Sequence, residues 1–410
     1  MLNRGSLDAR AHLVDALIKT GRYKEAGSFY KSMIALNPTL STVYGMGASL
    51  ARQGKLDDEF YVAMLDLIET PEIRSMISTL IKAPAIYHPS KLWLYFLLFN
   101  TFQIETGGIA NFKRTANHNY FNWTADSDIV QQLAALRTEL GWSDSDIDEL
   151  PTPEVMLSNG KPVNFTNLQW KNYLRFLCML WEVAIKNDRL KLLECLGEPE
   201  LGNPLSIEYK SHTITQDICN SVMEVNTMME AVDFSSSGIF RVAELGAGHG
   251  RIGNLLLRII ENIQVVIIDI PPALYISQWY LSNLFPERRV FKFRDFSSYK
   301  EIQKEFEESS IAFLTPNQIE HLRENTFDLF INISSLHEMT HEQIENWFSQ
   351  IERVCKGWFY TKQYVEHFNP FDDIFVTKED YPVRTHWHKL LDRRCVVQQN
   401  MFEAVYQLNK

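Results

Sequence analysis

The second half of the chain alternates between runs of apolar residues and stretches with helical spacing. From about residue 206, the helical pattern ITQDICNSVMEVNTMMEAV is followed by a turn at DFSSSG and then by further alternation. The apolar runs that predict strands are IFRVAEL, VVIIDI, VFKF, FDLFINI and GWFYTK. Continuous apolar strands separated by helices are typical of a parallel sheet covered on both faces. The last segments, RRCVVQQ and MFEAVYQL, predict a terminal antiparallel hairpin that closes this doubly wound α/β sheet.

The region before residue 206 is predicted to be mainly α-helical. Apolar residues recur at helical spacing in SKLWLYFLLFNTFQIE, SDIVQQLAALRTEL and LQWKNYLRFLCMLWEVAIKN. The proline- and glycine-containing stretches LPTPEVMLSNGKPVN and LGEPELGNP predict loops, and the second marks a domain border. We therefore expect a helical domain over residues 72–205 and the sheet domain over residues 206–410.

Residues 1–71 contain two similar segments, which suggest an internal repeat. The segment GRYKEAGSFYKSMIALNP begins at Gly21 and GKLDDEFYVAMLDLIE begins at Gly54, an offset of 33 residues. This offset is close to the roughly 34 residues of a tetratricopeptide repeat, in which two helices turn at a glycine. The pattern predicts tetratricopeptide-like helical repeats, which serve either as a docking surface for a protein partner or as a helical extension of the core.

Composition and charge narrow the class of protein. The formal net charge is -11, which argues against nucleic-acid binding because phosphate neutralisation requires clustered Lys and Arg. The five cysteines are scattered without a CxxC pair, which is typical of reduced thiols. The longest apolar run, LWLYFLLF at 92–99, is far shorter than the roughly 20 residues of a membrane span, and no signal peptide is evident. We expect a cytoplasmic protein without a membrane span.

A glycine-rich loop carries the strongest chemical signal. In FRVAELGAGHGRIGNLLLRII an apolar strand ends in Glu244, Gly246, Gly248 and Gly250 follow, and a helix begins near Arg251. Glycines let a backbone approach a ligand closely, and the helix N-terminus supplies free N–H groups. Gly248, Gly250 and Gly253 also satisfy the GxGxxG pattern of dinucleotide-binding folds.

Acidic residues near this loop favour S-adenosylmethionine over NAD. Asp269 ends the next apolar run, 23 residues after Gly246, where an acid binds ribose hydroxyls in both kinds of fold. Glu244 precedes the glycines directly, where an acid suits the methionine end of S-adenosylmethionine. Asp295, in VFKFRDF, follows a third apolar run.

These residues resemble the class I S-adenosylmethionine-dependent methyltransferases over roughly residues 206–410. The resemblance implies that ELGAGHG, with Gly246, Ala247, Gly248 and Gly250, holds the cofactor. It also implies Asp269 and Ile270 at the ribose and Asp295 and Phe296 at the adenine. The run ITQD…EV…VAELGAGHGRIG…SSLHEM, together with ETGGIANFKRT, is similar to the sugar O-methyltransferases of bacterial glycan biosynthesis.

The sequence HEMTH at 337–341 matches the H-E-x-x-H zinc motif, but its context differs. A zinc peptidase needs both histidines on one helix, whereas Thr340 and Gln343 form a capping-box pattern that starts a helix between them. The loop after FDLFINI is instead expected to border a ligand, with the backbone of Ser334 near the methionine ammonium. We interpret His337 as the general base for a sugar hydroxyl and Glu338 as the residue that orients it or binds the sugar. The alternative is that His337 merely caps the helix start.

Further acceptor-site candidates follow from position. Arg114, His118 and Tyr120 would come from the helical domain as part of an acceptor pocket or lid, and His386 and Trp387 would come from the loop before the last hairpin. An exposed helix start is the simpler explanation for the second group. A divalent metal that lowers the hydroxyl pKa stays an alternative to a protein base, although no metal site is predicted.

The sequence thus predicts a Rossmann-like methyltransferase sheet, preceded by a helical, tetratricopeptide-like region. The expected activity is S-adenosylmethionine-dependent O-methylation of a sugar that is free, nucleotide-linked or part of a glycan. The alternatives are an NAD-dependent sugar-modifying enzyme, a zinc metallopeptidase and an inactive scaffold. A protein partner of the N-terminal repeats is a further expectation.

Overall fold

The computed structural model describes residues 12–36, 59–116 and 129–408, apart from residues 15, 154–155, 157, 162–164 and 236–237. The helices in this part of the chain are α1 (Tyr23–Leu36), α2 (Glu59–Leu65), α3 (Pro71–Ile81), α4 (Lys91–Gly107), α5 (Phe112–Thr115), α6 (Ile129–Leu140), α7 (Asp144–Asp148), α8 (Asn167–Asn187), α9 (Leu192–Cys195), α10 (Gln216–Ala231), α11 (Arg251–Ile259), α12 (Ala273–Leu284), α13 (Tyr299–Glu308) and α14 (His341–Val354). The strands are β1 (Ile207–Tyr209), β2 (His212–Ile214), β3 (Phe240–Leu245), β4 (Ile263–Ile268), β5 (Val290–Phe291), β6 (Ile311–Leu314), β7 (Phe327–Ile333), β8 (Cys355–Tyr364), β9 (Glu366–Asn369), β10 (Ile374–Thr377), β11 (Trp387–Arg394) and β12 (Met401–Leu408).

Within the described residues, eight strands form one mixed sheet in the order β11-β12-β8-β7-β3-β4-β6-β5. The pairs from β5 to β8 are parallel, whereas β12 pairs antiparallel with β8 and with β11. The predicted parallel sheet and its terminal hairpin are therefore confirmed. The first hairpin strand is formed by WHKLLDRR and not by RRCVVQQ, because Cys395 lies at the turn between the two strands.

Alternate residues of each central strand pack on opposite faces of the sheet. Val242 and Ile267 belong to a core shared with α8, α10, α11 and α12, whereas Ala243 and Val266 belong to a core shared with α13 and α14. Every residue of β4 is buried, as expected of a strand covered on both faces. The helices on the two faces make this a three-layer arrangement.

The fourth parallel strand, β6, was not predicted from the sequence. Residues Ile311–Leu314 pair with β4 in register from Val265 to Ile268, so β6 lies between β4 and the edge strand β5. The predicted strand VFKF is reduced to Val290–Phe291. As a result, the loop after β6, and not the loop after β5, adjoins β4 at its carboxyl end.

The N-terminal helices form a third core that packs on the sheet domain. Its members come mainly from α1, α3 and α4, and Ile270, Tyr275 and Phe371 of the sheet domain pack against it. The helices α1 and α2 fall within the predicted repeats, but residues 37–58 lie outside the described part, so the tetratricopeptide-like repeat stays a prediction. Among the described residues, no helix combines the length and apolar character needed to cross a membrane.

Candidate functional site

A cavity of about 320 Å³ opens beyond the carboxyl ends of the central strands. Its floor is formed by the residues that follow β3, β4 and β7. The strand β3 pairs with β4 on one side and with β7 on the other, so the chain reverses its direction of winding at this point. Ligands of open α/β sheets bind at such a switch point because the adjacent loops diverge there.

The glycine loop after β3 lines this cavity as predicted through Gly246, Ala247 and Gly248. Gly246 has a φ of +69° and donates its N–H to the Ile268 carbonyl at 2.9 Å. A Cβ at Gly246 would collide with the side chain of Ser335. Gly250 has a φ of +84° and directly precedes α11, but it does not line the cavity. The positive φ at Gly246 and the close approach of Ser335 explain why this position requires glycine.

Glu244, the penultimate residue of β3, presents a buried carboxyl to the cavity. The residue is 3% exposed, and its Oε2 has no hydrogen-bond partner among the described residues. Burial raises the pKa of Glu244 to about 8, against the opposing charge of Arg251. A buried carboxyl oxygen without a hydrogen-bond partner is costly, so Oε2 is poised to bind a cationic or hydrogen-bond-donating group of a ligand.

Asp269 follows β4 and is held by two backbone N–H groups. Gly248 donates to its Oδ2 at 2.8 Å, and Ile270 donates to its Oδ1 at 2.7 Å. Burial raises the pKa of Asp269 to about 7, although both of these hydrogen bonds oppose the shift. Each carboxylate oxygen accepts more than one hydrogen bond, so the group remains able to receive hydroxyl donors from the cavity.

A buried ionic group that the sequence analysis missed lies next to Glu244. Glu224 of α10 accepts from Arg251 of α11, and from Lys362 of β8 at 2.9 Å. Burial alone would raise the pKa of Glu224, but the charges of Arg251 and Lys362 outweigh it and lower the pKa to about 2. All three residues line the cavity, and no spacing in the sequence brings them together.

The structure places His337 behind the cavity wall and not in it. His337 is 1% exposed, does not line the cavity, and has its Nδ1 at 2.9 Å from Oε1 of Gln363. Its ring also packs edge-on against Tyr364 and His367. Burial lowers the pKa of His337 to about 3, so the ring is neutral near pH 7. The predicted position of His337 on the cavity surface is therefore not found, and the neighbouring side chain lines the cavity instead, so the role of His337 as a base stays a prediction.

That neighbour, Glu338, faces the cavity. Its Oε2 accepts a hydrogen bond of 2.8 Å from Nε1 of Trp93 in α4, and the residue is 6% exposed. Burial raises the pKa of Glu338 to about 8, although the Trp93 hydrogen bond opposes the shift. His337 and Glu338 share one short 3-10 turn, Leu336–Glu338, and this turn directs the two side chains to different surroundings.

The HEMTH motif does not form a zinc site. Thr340 caps α14, with Gln343 N–H donating to Thr340 Oγ1 at 3.2 Å and Thr340 N–H donating to Gln343 Oε1 at 3.0 Å. The predicted capping box is thus confirmed, and it leaves His337 in the preceding turn and His341 at the helix start. In the part of the chain that the structure describes, no three His, Cys, Asp or Glu residues are grouped to hold a metal.

The N-terminal helical region supplies the opposite wall of the cavity. Trp93, Phe96 and Asn100 of α4 line it, together with the loop that precedes α4. Gln343 of α14 anchors this loop by donating to the carbonyls of Ile86 and His88, at 3.3 and 2.7 Å. The run LWLYFLLF belongs to a segment predicted to be helical, but no local pattern indicated that α4 would face the sheet.

The predicted adenine residues lie away from the cavity. Asp295 is exposed, and Phe296 packs in the core against Phe291 and His321. The prediction assumed that VFKF would lie beside β4, whereas β6 takes that place. Pro316, after β6, lines the cavity instead.

The three predicted acceptor residues that the structure describes also lie elsewhere. Arg114 donates to backbone carbonyls, including those of Asn159 and Gly160 at 3.0 and 3.1 Å, and so joins two loops. His386 pairs with Glu352 at 2.9 Å on the surface. Trp387 is buried in the core, where it stacks on an aromatic residue of α14. None of these residues lines the cavity.

His118 and Tyr120 lie outside the described residues. Of the other predicted ligand contacts, Ile270 and Ser334 line the cavity. Ser334 has a φ of +56° and donates its N–H to the Lys362 carbonyl at 2.8 Å.

No family model matches the chain, and no curated protein matches it. Solved structures do match it over slightly less than half of its length. The PH0226 protein from Pyrococcus horikoshii OT3 has 15% identity and a TM-score of 0.33, over 47% of this chain and 92% of that one. A SAM-dependent methyltransferase from Aquifex aeolicus has 14% identity and a TM-score of 0.28, over 45% and 89%.

A third structure is the Burkholderia thailandensis 1,6-didemethyltoxoflavin-N1-methyltransferase with bound S-adenosylhomocysteine. It has 14% identity and a TM-score of 0.29, over 42% of this chain and 72% of that one. All three likenesses are too distant to assign this chain an activity, so a function has to be argued from its own site.

Proposed function

We propose that the chain is an S-adenosylmethionine-dependent O-methyltransferase that acts on a sugar hydroxyl. The observation that carries this proposal is the buried Glu244 carboxyl, whose Oε2 is unpartnered among the described residues, beside the glycine loop at the switch point. A ligand with a cationic end and a ribose complements both this carboxyl and Asp269.

The residues present fit S-adenosylmethionine. Glu244 would bind the amino group of its methionine part, Asp269 would accept hydrogen bonds from the ribose hydroxyls, and Gly246 to Gly248 would pack under the ligand. When bound, the cofactor would supply a methyl group on a positively charged sulfur. The low-dielectric surroundings of Glu244 strengthen its interaction with a cation once the carboxyl is ionised.

The same carboxyl argues against NAD. In dinucleotide folds the pyrophosphate lies against the glycine loop and the helix N-terminus. Here the buried Glu244 carboxyl at the start of that loop offers a pyrophosphate no positive charge, and its ionised form would repel the phosphates. Arg251, at the start of α11, is engaged by Glu224 and would have to change partners to compensate.

The sugar acceptor and the transfer to oxygen rest on the sequence resemblance described above. That resemblance includes SSLHEM, which in the structure forms the turn carrying Glu338 at the cavity. Free, nucleotide-linked and glycan-bound sugars all belong to this proposal.

Calorimetric titration of the full chain with S-adenosylhomocysteine, and separately with NAD, tests the cofactor assignment. We expect saturable binding of S-adenosylhomocysteine at one site and no binding of NAD. Binding of NAD alone would replace the proposal with a dehydrogenase or epimerase. Binding of neither ligand would refute it.

A further inference from the structure

The side of the cavity that is formed by α4 combines aromatic surface with polar atoms that lack a hydrogen-bond partner among the described residues. Trp93 and Phe96 lie together there, with ring centroids 5.4 Å apart. Asn100 Oδ1 and Ser90 Oγ are buried atoms without a hydrogen-bond partner among the described residues, and Ser90 is only 7% exposed. Buried polar atoms are normally hydrogen-bonded, so these two point to a ligand with hydroxyl groups.

Glu338 is the acidic group on this side, and one of its two oxygens, Oε2, is held by a hydrogen bond. Oε2 accepts from Trp93 at 2.8 Å, and Oε1 lies 3.8 Å from His337 Nε2. Gln363 donates its amide nitrogen to Asn332 and Thr361, so its oxygen is left to accept from His337 Nδ1. The proton on Nδ1 leaves Nε2 with a lone pair, which faces Glu338 and cannot neutralise the carboxylate.

The charges around the cavity bear on the kind of acceptor. Arg251 and Lys362 are the permanent cations that line it within the described residues, and both pair with Glu224. A diphosphate on the acceptor would therefore meet carboxyl groups without a cation available to offset them. An uncharged ring with hydroxyls would meet aromatic faces and hydrogen-bonding groups.

We propose that Trp93, Asn100 and Glu338 form the acceptor subsite for an uncharged hydroxylated ring, and that Glu338 accepts the proton of the reacting hydroxyl. In this step the hydroxyl oxygen bonds to the methyl carbon, and the carbon–sulfur bond breaks with its electrons left on sulfur. The hydroxyl proton passes to the Glu338 carboxylate. Trp93 is a positioning residue, because it acts by holding Oε2 of Glu338. This assignment rests on the proposed methyltransferase function.

Turnover with defined acceptors tests the subsite. The probes are methyl α-glucoside and methyl α-mannoside, compared with UDP-glucose and GDP-mannose, and the readout is release of S-adenosylhomocysteine with mass detection of the methylated product. We expect turnover with at least one methyl glycoside and none with the nucleotide sugars. Turnover with the nucleotide sugars, or with no probe at all while S-adenosylhomocysteine still binds, would overturn the assignment of the acceptor class.

The variant Glu338→Gln isolates the proton acceptor. The amide keeps the size of the side chain and an oxygen for Trp93, so we expect kcat to fall by about 10²–10⁴-fold with unchanged affinity for S-adenosylhomocysteine. Glu342→Gln, at an exposed position in the first turn of α14, is the matched control and should match wild type. A wild-type kcat in Glu338→Gln would refute the role of Glu338 as the proton acceptor and would leave the cofactor assignment unaffected.

The pH profile tests the positioning role of Trp93. Since burial raises the pKa of Glu338 to about 8, kcat should rise with pH up to about that value. Trp93→Phe removes the hydrogen bond that favours the carboxylate, so the rise should move to higher pH. The titratable groups that influence Glu338 or respond to it are His337, Asp269 and Tyr381, and the variant leaves all of them in place.

Trp142→Phe, a half-buried tryptophan between α6 and α7, serves as the control for the loss of an indole. Its pH profile should coincide with that of the wild type. An unshifted profile in Trp93→Phe would show that Trp93 has a structural role only. Failure of the wild type to bind S-adenosylhomocysteine would instead refute the proposed function itself.

Discussion

The variant Glu244→Gln tests the interaction between the site and the charged end of the cofactor. Glu244 has a pKa raised to about 8 by burial, so the carboxyl is mostly protonated at pH 7 in the free protein. A cationic amino group binds the carboxylate, and binding therefore has to remove that proton. Glutamine has the same shape but no proton to release.

The size of the effect follows from linkage. With a pKa of about 8, roughly nine-tenths of the Glu244 carboxyls hold a proton at pH 7, so binding of S-adenosylhomocysteine should release about 0.9 proton from this group. Affinity should rise about tenfold between pH 6 and pH 7 and level off above pH 8. Loss of a charge-assisted hydrogen bond in Glu244→Gln should weaken binding at pH 8 by roughly 10–150-fold, or about 1.5–3 kcal/mol.

Calorimetry at pH 7 in phosphate and in Tris measures the proton release, because the two buffers differ in ionisation enthalpy. The contribution of Glu244 is the difference between the wild type and Glu244→Gln, since Asp217 and Asp269 also line the cavity with raised pKa values. Glu261→Gln, exposed at the opposite end of the sheet, is the control. Equal proton release and equal affinity in Glu244→Gln and wild type would refute the assignment.

The pH dependence of the free energy of unfolding of the ligand-free protein provides a second test of the raised Glu244 pKa. The folded-state pKa of Glu244 lies above its ordinary value of 4.5, so the folded state binds more protons than the unfolded state between about pH 4.5 and 8. The free energy of unfolding therefore falls as the pH rises through this range. Glu244→Gln should lose less stability between pH 5 and pH 8 than the wild type, as measured by urea unfolding at the two pH values.

Three further variants test the rest of the site. Gly246→Ala should weaken S-adenosylhomocysteine binding by about 5–150-fold. The φ of +69° at this position and the contact of a Cβ with Ser335 impose a strain of about 1–3 kcal/mol on alanine. The control Gly197→Ala, which has open space around its Cβ, should bind normally. Asp269→Ala should weaken the same binding by about 10–100-fold through lost hydrogen bonds, and unaltered affinity would contradict its assignment to the ribose. Trp387→Ala should lower the free energy of unfolding by about 3–5 kcal/mol in a denaturant titration without changing S-adenosylhomocysteine affinity, and a selective loss of acceptor methylation would restore it as an acceptor residue.

The sequence predicted features of the cofactor side that depend on local patterns. The strand that contains Glu244, the glycines and the first turn of α11 follow one another directly, and Asp269 comes immediately after the next strand of the sheet. The same holds for the capping box at Thr340, which spans four residues. Such patterns record the conformation of a single segment and need no knowledge of distant partners.

The position of Asp295 depends on strand order, which a local pattern does not determine. VFKF and IAFL are apolar runs of the same length, and either one fits a buried strand. Which run pairs with β4 depends on the packing of the intervening helix α13 and on register, both of which are non-local. Ile311–Leu314 takes the inner position, and Asp295 is thereby displaced to the surface.

The acceptor side could not be read from the sequence because its two walls are far apart along the chain. Trp93 and Glu338 are separated by 245 positions and meet only through the packing of the N-terminal helices on the sheet domain. The choice between His337 and Glu338 was also beyond a local pattern, since it depends on Gln363 from β8, which holds the histidine ring away from the cavity. The proposed cofactor side is thus built mainly within one βαβ unit, whereas the proposed acceptor side requires the packing of the helical region on the sheet. Substitutions in α4 should therefore change acceptor turnover more than cofactor affinity, and substitutions in the glycine loop should weaken cofactor binding directly.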